Sequence, residues 1–152
     1  MRLYLVQHGQ ATSEEENPDR PLTEQGVDEA RRVARDAVER WGIAPARILH
    51  SGKTRAFQTA ELWGRLVGVG VEEVAGLAPN DDPTAWPPRL DAEQNDLMLV
   101  GHLPHLAKLA TLLVTGVPDP PMVGFRPGAL VALERDQSRW TIWLVLPPNA
   151  DL

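Results

Sequence analysis

The chain has 152 residues, of which 43% are hydrophobic and 24% charged, and its formal net charge is −6 at pH 7. A chain of this length fits one domain, here residues 1–152, that buries roughly two-thirds of its unfolded surface. The acidic balance argues against a general nucleic-acid-binding surface, which needs clustered Lys and Arg. The sequence contains no Cys, which excludes a disulfide framework, thiolate metal ligands and a Cys nucleophile.

The first half of the chain alternates between strand and helix patterns. Residues 3–6 form a short apolar run before a Gln-His-Gly sequence. Such a run is typical of a buried parallel strand and is too short for a signal peptide or a membrane span. Thr23 is the predicted N-cap of a helix whose apolar residues recur at helical spacing as far as Trp41. A strand at 47–50, a helix and a third strand at 69–74 follow, and we expect a soluble, cytoplasmic protein without a membrane partner.

The second half continues the same alternation. Residues 76–88 are rich in Pro, Asp and Asn and predict a loop with a helical turn around Trp86, whose side chain could border a ligand pocket. Residues 97–100 form the next apolar strand, and residues 105–115 the next helix. The chain then closes with a predicted hairpin whose strands are residues 129–134 and 140–146. Together the elements predict an α/β fold, a three-layer sandwich around a mainly parallel central sheet.

Three predicted strand exits carry residues that can handle an anion, namely His8, Arg55 and His102. Ligands of open α/β sheets bind where the carboxyl ends of the strands converge. Two imidazoles and a guanidinium around one point suit phosphoryl transfer, because a nucleophile must attack while the other phosphoryl oxygens are held. Helix N-termini after Arg55 and His102 would add backbone N–H donors. The pattern therefore predicts a site for a phosphate anion.

The other histidines have weaker interpretations. His105 is three residues from His102, so both could face one metal ion, but no third ligand with suitable spacing accompanies them and we predict no metal. His105 is also the rival of His102 as the active imidazole, and His102 is favoured because it directly follows the strand. His50 is expected to be a packing or hydrogen-bonding residue.

Four segments fall in a recognisable order along the chain. They read Leu-Val-Gln-His-Gly from residue 5, Arg-Pro-Leu-Thr-Glu-Gln-Gly from residue 20, His-Ser-Gly-Lys-Thr-Arg-Ala-Phe-Gln-Thr-Ala from residue 50 and Val-Gly-His-Leu-Pro from residue 100. In order and spacing they resemble the histidine phosphatase superfamily, and the short chain is most similar to SixA-type phosphohistidine phosphatases. The resemblance extends from residue 1 to about residue 147. It implies a phosphoglycerate mutase-like fold and a phosphatase that needs neither a metal nor another cofactor.

The resemblance also implies a role for each matching residue. His8 would be the nucleophile and form a phosphohistidine intermediate that water hydrolyses. His102 would be the second active-site histidine, in contact with the phosphoryl group. The implied substrate-binding residues are Gln7, Gly9, Arg20, Arg55 and Leu103. The expected partner is a phosphorylated protein carrying phosphohistidine, or a small phosphorylated substrate.

Gln7 departs from the family pattern, which has Arg before the first histidine. A guanidinium holds two phosphate oxygens through charge-assisted bonds of about 1.5–3 kcal/mol, against about 1 kcal/mol for a neutral amide. The rate could therefore fall roughly ten-fold. As a hypothesis, Arg20 or Lys53 supplies the missing charge.

The proton donor to the leaving group is less clearly marked. Larger relatives have a Glu after the third strand, and the matching stretch here, residues 77–82, lacks that motif. Asp81 or Asp82 could serve, although Asp in a turn more often bonds the local backbone. We predict a metal-independent phosphohistidine phosphatase acting through His8. The alternatives left open are a small phosphate-ester phosphatase and a phosphate- or phosphoprotein-binding module whose catalysis Gln7 has weakened.

Overall fold

The computed structural model describes residues 1–148, so the last four residues of the predicted domain, 149–152, lie outside the described part. Six strands, four α-helices and one 3-10 turn make up that part. In chain order they are β1 (Arg2–Gln7), α1 (Glu24–Trp41), β2 (Arg47–His50), α2 (Thr54–Val67), β3 (Val71–Glu73), the 3-10 turn (Pro83–Ala85), α3 (Trp86–Asp91), β4 (Leu97–Gly101), α4 (His105–Thr115), β5 (Leu130–Asp136) and β6 (Arg139–Leu146).

The strands form one sheet in the order β3-β2-β4-β1-β5-β6. Strands β1 to β4 are parallel to one another, and β5 pairs antiparallel with both β1 and β6. Helices α1 and α2 cover one face of the sheet, and α3 and α4 cover the other. The predicted α/β sandwich with a mainly parallel sheet is confirmed. Because parallel strands end at a common edge, the carboxyl ends of β1, β2 and β4 lie side by side.

The two faces of the sheet build two apolar cores. Strand β1 serves both, since successive side chains of a strand point to opposite faces: Tyr4 and Val6 join the first core and Leu3 and Leu5 the second. The first core, beneath α1 and α2, also contains Val33, Ala37, Ile48, Ala60, Trp63 and Met98. The second core, beneath α3 and α4, also contains Leu49, Trp86, Leu90, Leu99, Leu106 and Leu109.

Helix α1 has the ends that its sequence encodes. The Thr23 side chain accepts the backbone N–H of Gly26, as predicted for an N-cap. At the other end Gly42 adopts φ 64° and donates to the carbonyls of the last turn. The apolar spacing of the helix extends to Trp41 and predicts that this side chain is buried. It is instead 45% exposed, because Trp41 is the last residue of α1; its ring contacts the Trp143 ring edge-on.

Three further details differ from the sequence predictions. The third strand is shorter than residues 69–74, because the N–H of Val69 still bonds Gly64 at the end of α2. Trp86 does not border an open pocket; it is buried in the second core and donates Nε1–H to the Gly76 carbonyl. The helical turn predicted around it continues as α3 to Asp91. Within residues 1–148, no helix combines the length and the apolar character needed to cross a membrane.

Candidate active site

The ends of β1 and β4 bring the two predicted active-site histidines together. The backbone N–H of His8 donates to the Gly101 carbonyl at 3.0 Å, which extends the parallel ladder by one residue beyond β1. His102 then follows Gly101. The imidazole centroids of His8 and His102 lie 5.0 Å apart, with 52° between the ring planes. The convergence assumed from the sequence is therefore present in the structure.

The His8 ring is oriented by its own backbone neighbour. Its Nδ1 lies 2.7 Å from the Gly9 carbonyl oxygen, an acceptor, so Nδ1 carries the proton and Nε2 keeps its lone pair. Burial lowers the pKa of His8 to about 4; the hydrogen bond to Gly9 opposes this, and the charges of Arg55 and Arg20 add to it. At neutral pH the ring is thus uncharged, as a nitrogen nucleophile requires.

His102 is uncharged for similar reasons. Burial lowers its pKa to about 3, with further contributions from the nearby His8, Arg55 and Lys53. Its Nε2 lies 2.6 Å from the hydroxyl oxygen of Ser51, which also accepts the backbone N–H of Lys53 at 3.3 Å. Because the Ser51 oxygen is the acceptor in its bond with Lys53, the Ser51 O–H is available to donate to His102 Nε2. The loop after β2 therefore fixes this ring.

Arg55 provides the guanidinium of the site. The sequence predicts a helix that begins after Arg55, and this is wrong by two residues: α2 begins at Thr54, so Arg55 is its second residue. Its Nε is buried and has no hydrogen-bond partner among residues 1–148. Burial lowers the pKa of Arg55, and the charge of Arg20 lowers it further. A buried guanidinium N–H without an acceptor is costly, and an oxyanion would satisfy it.

Arg20 lies close enough for its charge to act on both His8 and Arg55. It adopts φ 48°, in the left-handed region that is uncommon for residues other than Gly. Its Nε donates to the Thr12 carbonyl at 3.0 Å, and a bridge between Ala11 and Leu22 closes the loop that carries it. The loop thus holds a second guanidinium beside the imidazoles.

Gln7 is buried at the end of β1, opposite Gly101 in the parallel register. Its backbone N–H bonds the Ala129 carbonyl, but its side-chain Oε1 is buried without a partner in the described chain. By strand alternation its side chain leaves β1 on the face of Leu5 and the second core. The position before His8 thus carries a neutral amide whose buried oxygen lacks a partner in the described residues.

The remaining predicted contacts are Gly9 and Leu103. Gly9 is tightly enclosed, since a Cβ there would lie 3.0 Å from the Gly26 carbonyl oxygen and 3.2 Å from the Leu22 side chain. Its N–H donates to the Thr59 hydroxyl at 3.0 Å. Leu103 packs its side chain against the second core. The glycine thus allows the loop after His8 to pass between α1 and α2.

The other titratable residues considered from the sequence lie outside this cluster. His105 is fully buried, and neither ring nitrogen has a partner within residues 1–148; burial lowers its pKa. His50 accepts the Gly52 N–H through Nδ1, in line with the expected structural role. Asp81 accepts the Ala78 N–H, and Asp82 accepts both the backbone N–H and the hydroxyl of Thr84. Both carboxylates therefore take part in local turns.

Sequence reasoning missed two hydroxyls, those of Ser51 and Thr59. Ser51 bonds His102, and Thr59 bonds both Gly9 and the Arg55 carbonyl. Position alone offered a signal: Ser51 directly follows β2, which neighbours β4, and Thr59 lies one helical turn after Arg55. A hydroxyl at such a position can bond to any nearby polar group, so the sequence could not predict which partner it has.

The Ser51 loop depends on a glycine. Gly52 adopts φ 89°, and a Cβ there would lie 2.5 Å from the carboxyl carbon of Glu73. Any side chain would therefore strain the backbone and displace this carboxylate.

The structure also bears on metal binding. Among residues 1–148, no group of three or more His, Asp or Glu side chains is placed to hold a metal ion.

Taken together, two uncharged imidazoles lie beside a guanidinium whose buried Nε–H has no acceptor among residues 1–148. Such an arrangement can hold a tetrahedral oxyanion and present a nitrogen lone pair to it. The sheet and the site thus define an α/β enzyme of the phosphoryl-transfer type.

Comparison with known proteins identifies the family. The model of the histidine phosphatase superfamily (branch 1) matches residues 3–79, the half of the chain that contains His8, Arg20 and Arg55. The chain therefore belongs to the histidine phosphatase superfamily, and it is a phosphatase, a hydrolase. A comparison of the sequence with curated proteins found no match.

Solved structures share the whole fold. The protein histidine phosphatase SixA complexed with tungstate is 25% identical, with a TM-score of 0.85 and 97% of each chain covered. A candidate phosphohistidine phosphatase SixA from Agrobacterium tumefaciens is 26% identical, with a TM-score of 0.77 and 97% of each chain covered. The alpha-ribazole phosphatase from Shigella flexneri, at 16% identity, a TM-score of 0.82 and 97% coverage of each chain, shares the fold.

Proposed function

We propose that the chain is a metal-independent phosphohistidine phosphatase that acts through a covalent intermediate on His8. The observation that carries the proposal is the state of His8: its Nδ1 is occupied by the Gly9 carbonyl, and its pKa is lowered to about 4, chiefly by burial. Nε2 is therefore an uncharged nucleophile at neutral pH. The similarity to a SixA structure that holds tungstate, a tetrahedral oxyanion, supports the same reading.

The reaction would proceed in two displacements at phosphorus. The His8 Nε2 lone pair attacks the phosphoryl group, the phosphorus–nitrogen bond of the substrate breaks, and the departing imidazole takes a proton from water. A water molecule then attacks the phosphohistidine, His8 leaves with its lone pair, and inorganic phosphate is released, while the proton lost by the attacking water neutralises the hydroxide left by the first step. His8 carries the phosphoryl group only between the two steps, so the enzyme regains its charge and composition at the end of the cycle, and neither step needs a cofactor.

The neighbouring residues would bind the phosphoryl oxygens. The buried Nε–H of Arg55 lacks an acceptor among the described residues and would donate to one oxygen. His102, held by Ser51 at 2.6 Å, would face the same group. A bound dianion favours the protonated form of an imidazole, so binding would raise the pKa of His102 above its value of about 3.

Gln7 favours a second candidate, a module that binds phosphate or a phosphoprotein with little turnover. Its buried Oε1 has no partner in the described chain, and its amide lacks the charge that would stabilise a transition state. Hydrolysis of a small phosphate ester is the third possibility within the same reaction class. The three candidates differ in whether His8 becomes phosphorylated during turnover and in whether the substrate is a phosphohistidine or a phosphate ester.

The test compares the wild type with His8→Ala on two substrates, a phosphohistidine peptide and an aryl phosphate. We expect phosphate release from the peptide by the wild type alone, and a phosphorylated wild-type protein by intact mass spectrometry after a rapid quench. Arg55→Gln should lose most of this activity, whereas Arg40→Gln, an exposed control paired with Asp36, should retain it. Release from the ester alone would remove the phosphohistidine assignment. Phosphate binding without His8-dependent release would favour the module.

A further inference from the structure

Thr59 joins the two halves of the proposed site through a single oxygen atom. It lies in α2, one turn after Arg55, and its side chain is fully buried. Its hydroxyl donates to the Arg55 carbonyl at 2.8 Å, a common bond of helical Thr to the preceding turn. The same oxygen accepts the Gly9 N–H at 3.0 Å. Both hydrogen bonds therefore have a fixed direction.

Gly9 is the residue that orients the nucleophile. The carbonyl of Gly9 accepts the Nδ1 proton of His8, and its N–H is held by Thr59. Close contacts with Gly26 and Leu22 limit where this backbone can move. The rotation of the imidazole thus depends on a backbone segment that is tied to the helix bearing Arg55.

We infer that Thr59 is a positioning residue that sets the His8 imidazole relative to the Arg55 guanidinium. The inference rests on the proposed function of His8 and Arg55, and it adds a residue that touches neither the substrate nor the reacting atoms. Loss of the hydroxyl leaves the buried Gly9 N–H without its acceptor and frees the segment that holds the imidazole. Misplacement of a reacting group by a fraction of an ångström to one ångström lowers the rate by about ten- to hundred-fold.

The chain provides a matched control in α4. Thr111 is also buried, donates its hydroxyl to the Ala107 carbonyl at 2.8 Å and accepts a loop N–H, that of Met122, at 3.1 Å. It makes the same pair of bonds as Thr59, yet it lies in a helix on the other face of the sheet. Thr111→Val therefore reproduces the loss of both hydrogen bonds of a buried helical hydroxyl, at a site that does not contact His8 or Gly9.

The experiment measures kcat, KM and the melting temperature of Thr59→Val, Thr59→Ser and Thr111→Val. We expect Thr59→Val to lower kcat about ten-fold or more, with KM changed less than three-fold. Thr59→Ser keeps the hydroxyl and should stay within about three-fold of the wild type, and Thr111→Val should keep the wild-type kcat. Should Thr59→Val not fold, Thr59→Ala beside Thr59→Ser gives the same comparison.

A second readout does not depend on turnover. Nitrogen-15 spectra of the imidazoles report the Nδ1 hydrogen bond of His8, whose signals are assigned with His8→Gln. We expect these signals to shift in Thr59→Val and to stay in place in Thr111→Val. Wild-type kcat and unchanged His8 signals in Thr59→Val would overturn the inference, whatever its melting temperature. If the wild type hydrolyses neither substrate, the proposed function fails, and the His8 signals alone decide the role of Thr59.

Discussion

Replacement of Arg20 tests how this site works without the arginine that the family signature places before the nucleophile. Arg20 is held by its bond to Thr12, and its charge already lowers the pKa of both His8 and Arg55. It is thus one nearby cation that can take over the role left by Gln7, and the only one of the two candidates, Arg20 and Lys53, whose charge acts on His8. We predict that Arg20→Gln is far more damaging here than Gln7→Arg is beneficial.

The size of the effect follows from the hydrogen bonds at stake. A bond from a charged donor contributes about 1.5–3 kcal/mol and one from a neutral amide about 1 kcal/mol, so removal of the charge costs about 0.5–2 kcal/mol. At about 1.4 kcal/mol for each factor of ten, kcat/KM should fall about two- to thirty-fold in Arg20→Gln. Gln7→Arg alone should change it less than about three-fold. In the Arg20→Gln background, Gln7→Arg should restore most of the loss, because one cation then replaces the other.

The assay is release of phosphate from a phosphohistidine peptide, with inhibition by inorganic phosphate as a measure of anion binding. Arg40→Gln controls for the loss of an exposed positive charge, and melting temperatures show whether the buried position 7 accepts the larger side chain. A ten-fold gain in Gln7→Arg with Arg20 intact would refute the reasoning. An unchanged kcat/KM in Arg20→Gln would refute it equally, and this single variant suffices if Gln7→Arg does not fold.

Three other outcomes follow from the site. Burial lowers the pKa of His8 to about 4 from an ordinary 6.5, so the folded protein binds fewer protons than the unfolded chain between these values and loses stability as the pH falls through them. When the pH is lowered from about 7.5 to about 5, the free energy of unfolding measured with urea should decrease in both proteins, but by about 2 kcal/mol less in His8→Asn than in the wild type. Gly52→Ala should lower both melting temperature and kcat, whereas Gly68→Ala, where φ is 76° but a Cβ meets nothing within 4 Å, should lower the melting temperature alone; equal kcat losses would contradict the steric argument. Ser51→Ala should lower kcat/KM about five-fold, because a hydrogen bond of about 1 kcal/mol holds the His102 ring, and wild-type kinetics would show that the ring needs no such support.

The fold was predictable because local signals agreed with one another. Helix α4 occupies the predicted residues 105–115 and β2 the predicted residues 47–50, since each is bounded by Pro, Gly or a polar run. The errors lie where tertiary structure overrides local pattern. Val69 continues the C-terminal bonding of α2 instead of starting β3, and Trp41 is half exposed at the end of α1.

The candidate site was predictable to the extent that its side chains are of types associated with phosphoryl chemistry. His8, His102 and Arg55 carry chemistry that a sequence displays, and the parallel sheet implies that strand ends meet. Ser51 and Thr59 were missed because their partners lie 51 and 50 residues away in the chain. A hydroxyl is compatible with a turn, a helix or a core, so only the three-dimensional structure reveals which backbone group it bonds.

The residues of the site belong to two parts of the molecule that differ in local stability. The imidazoles and Gly101 belong to the centre of the sheet, where β1 lies between β4 and β5 and the His8 amide is bonded into the ladder. Arg20 belongs to a loop closed by one isolated bridge between Ala11 and Leu22. Central strands open only with global unfolding, whereas such loops open at much lower free energy. On heating, the loop that carries Arg20 should therefore open first, and the affinity for an anion should decrease below the melting temperature, while the two imidazoles still lie side by side.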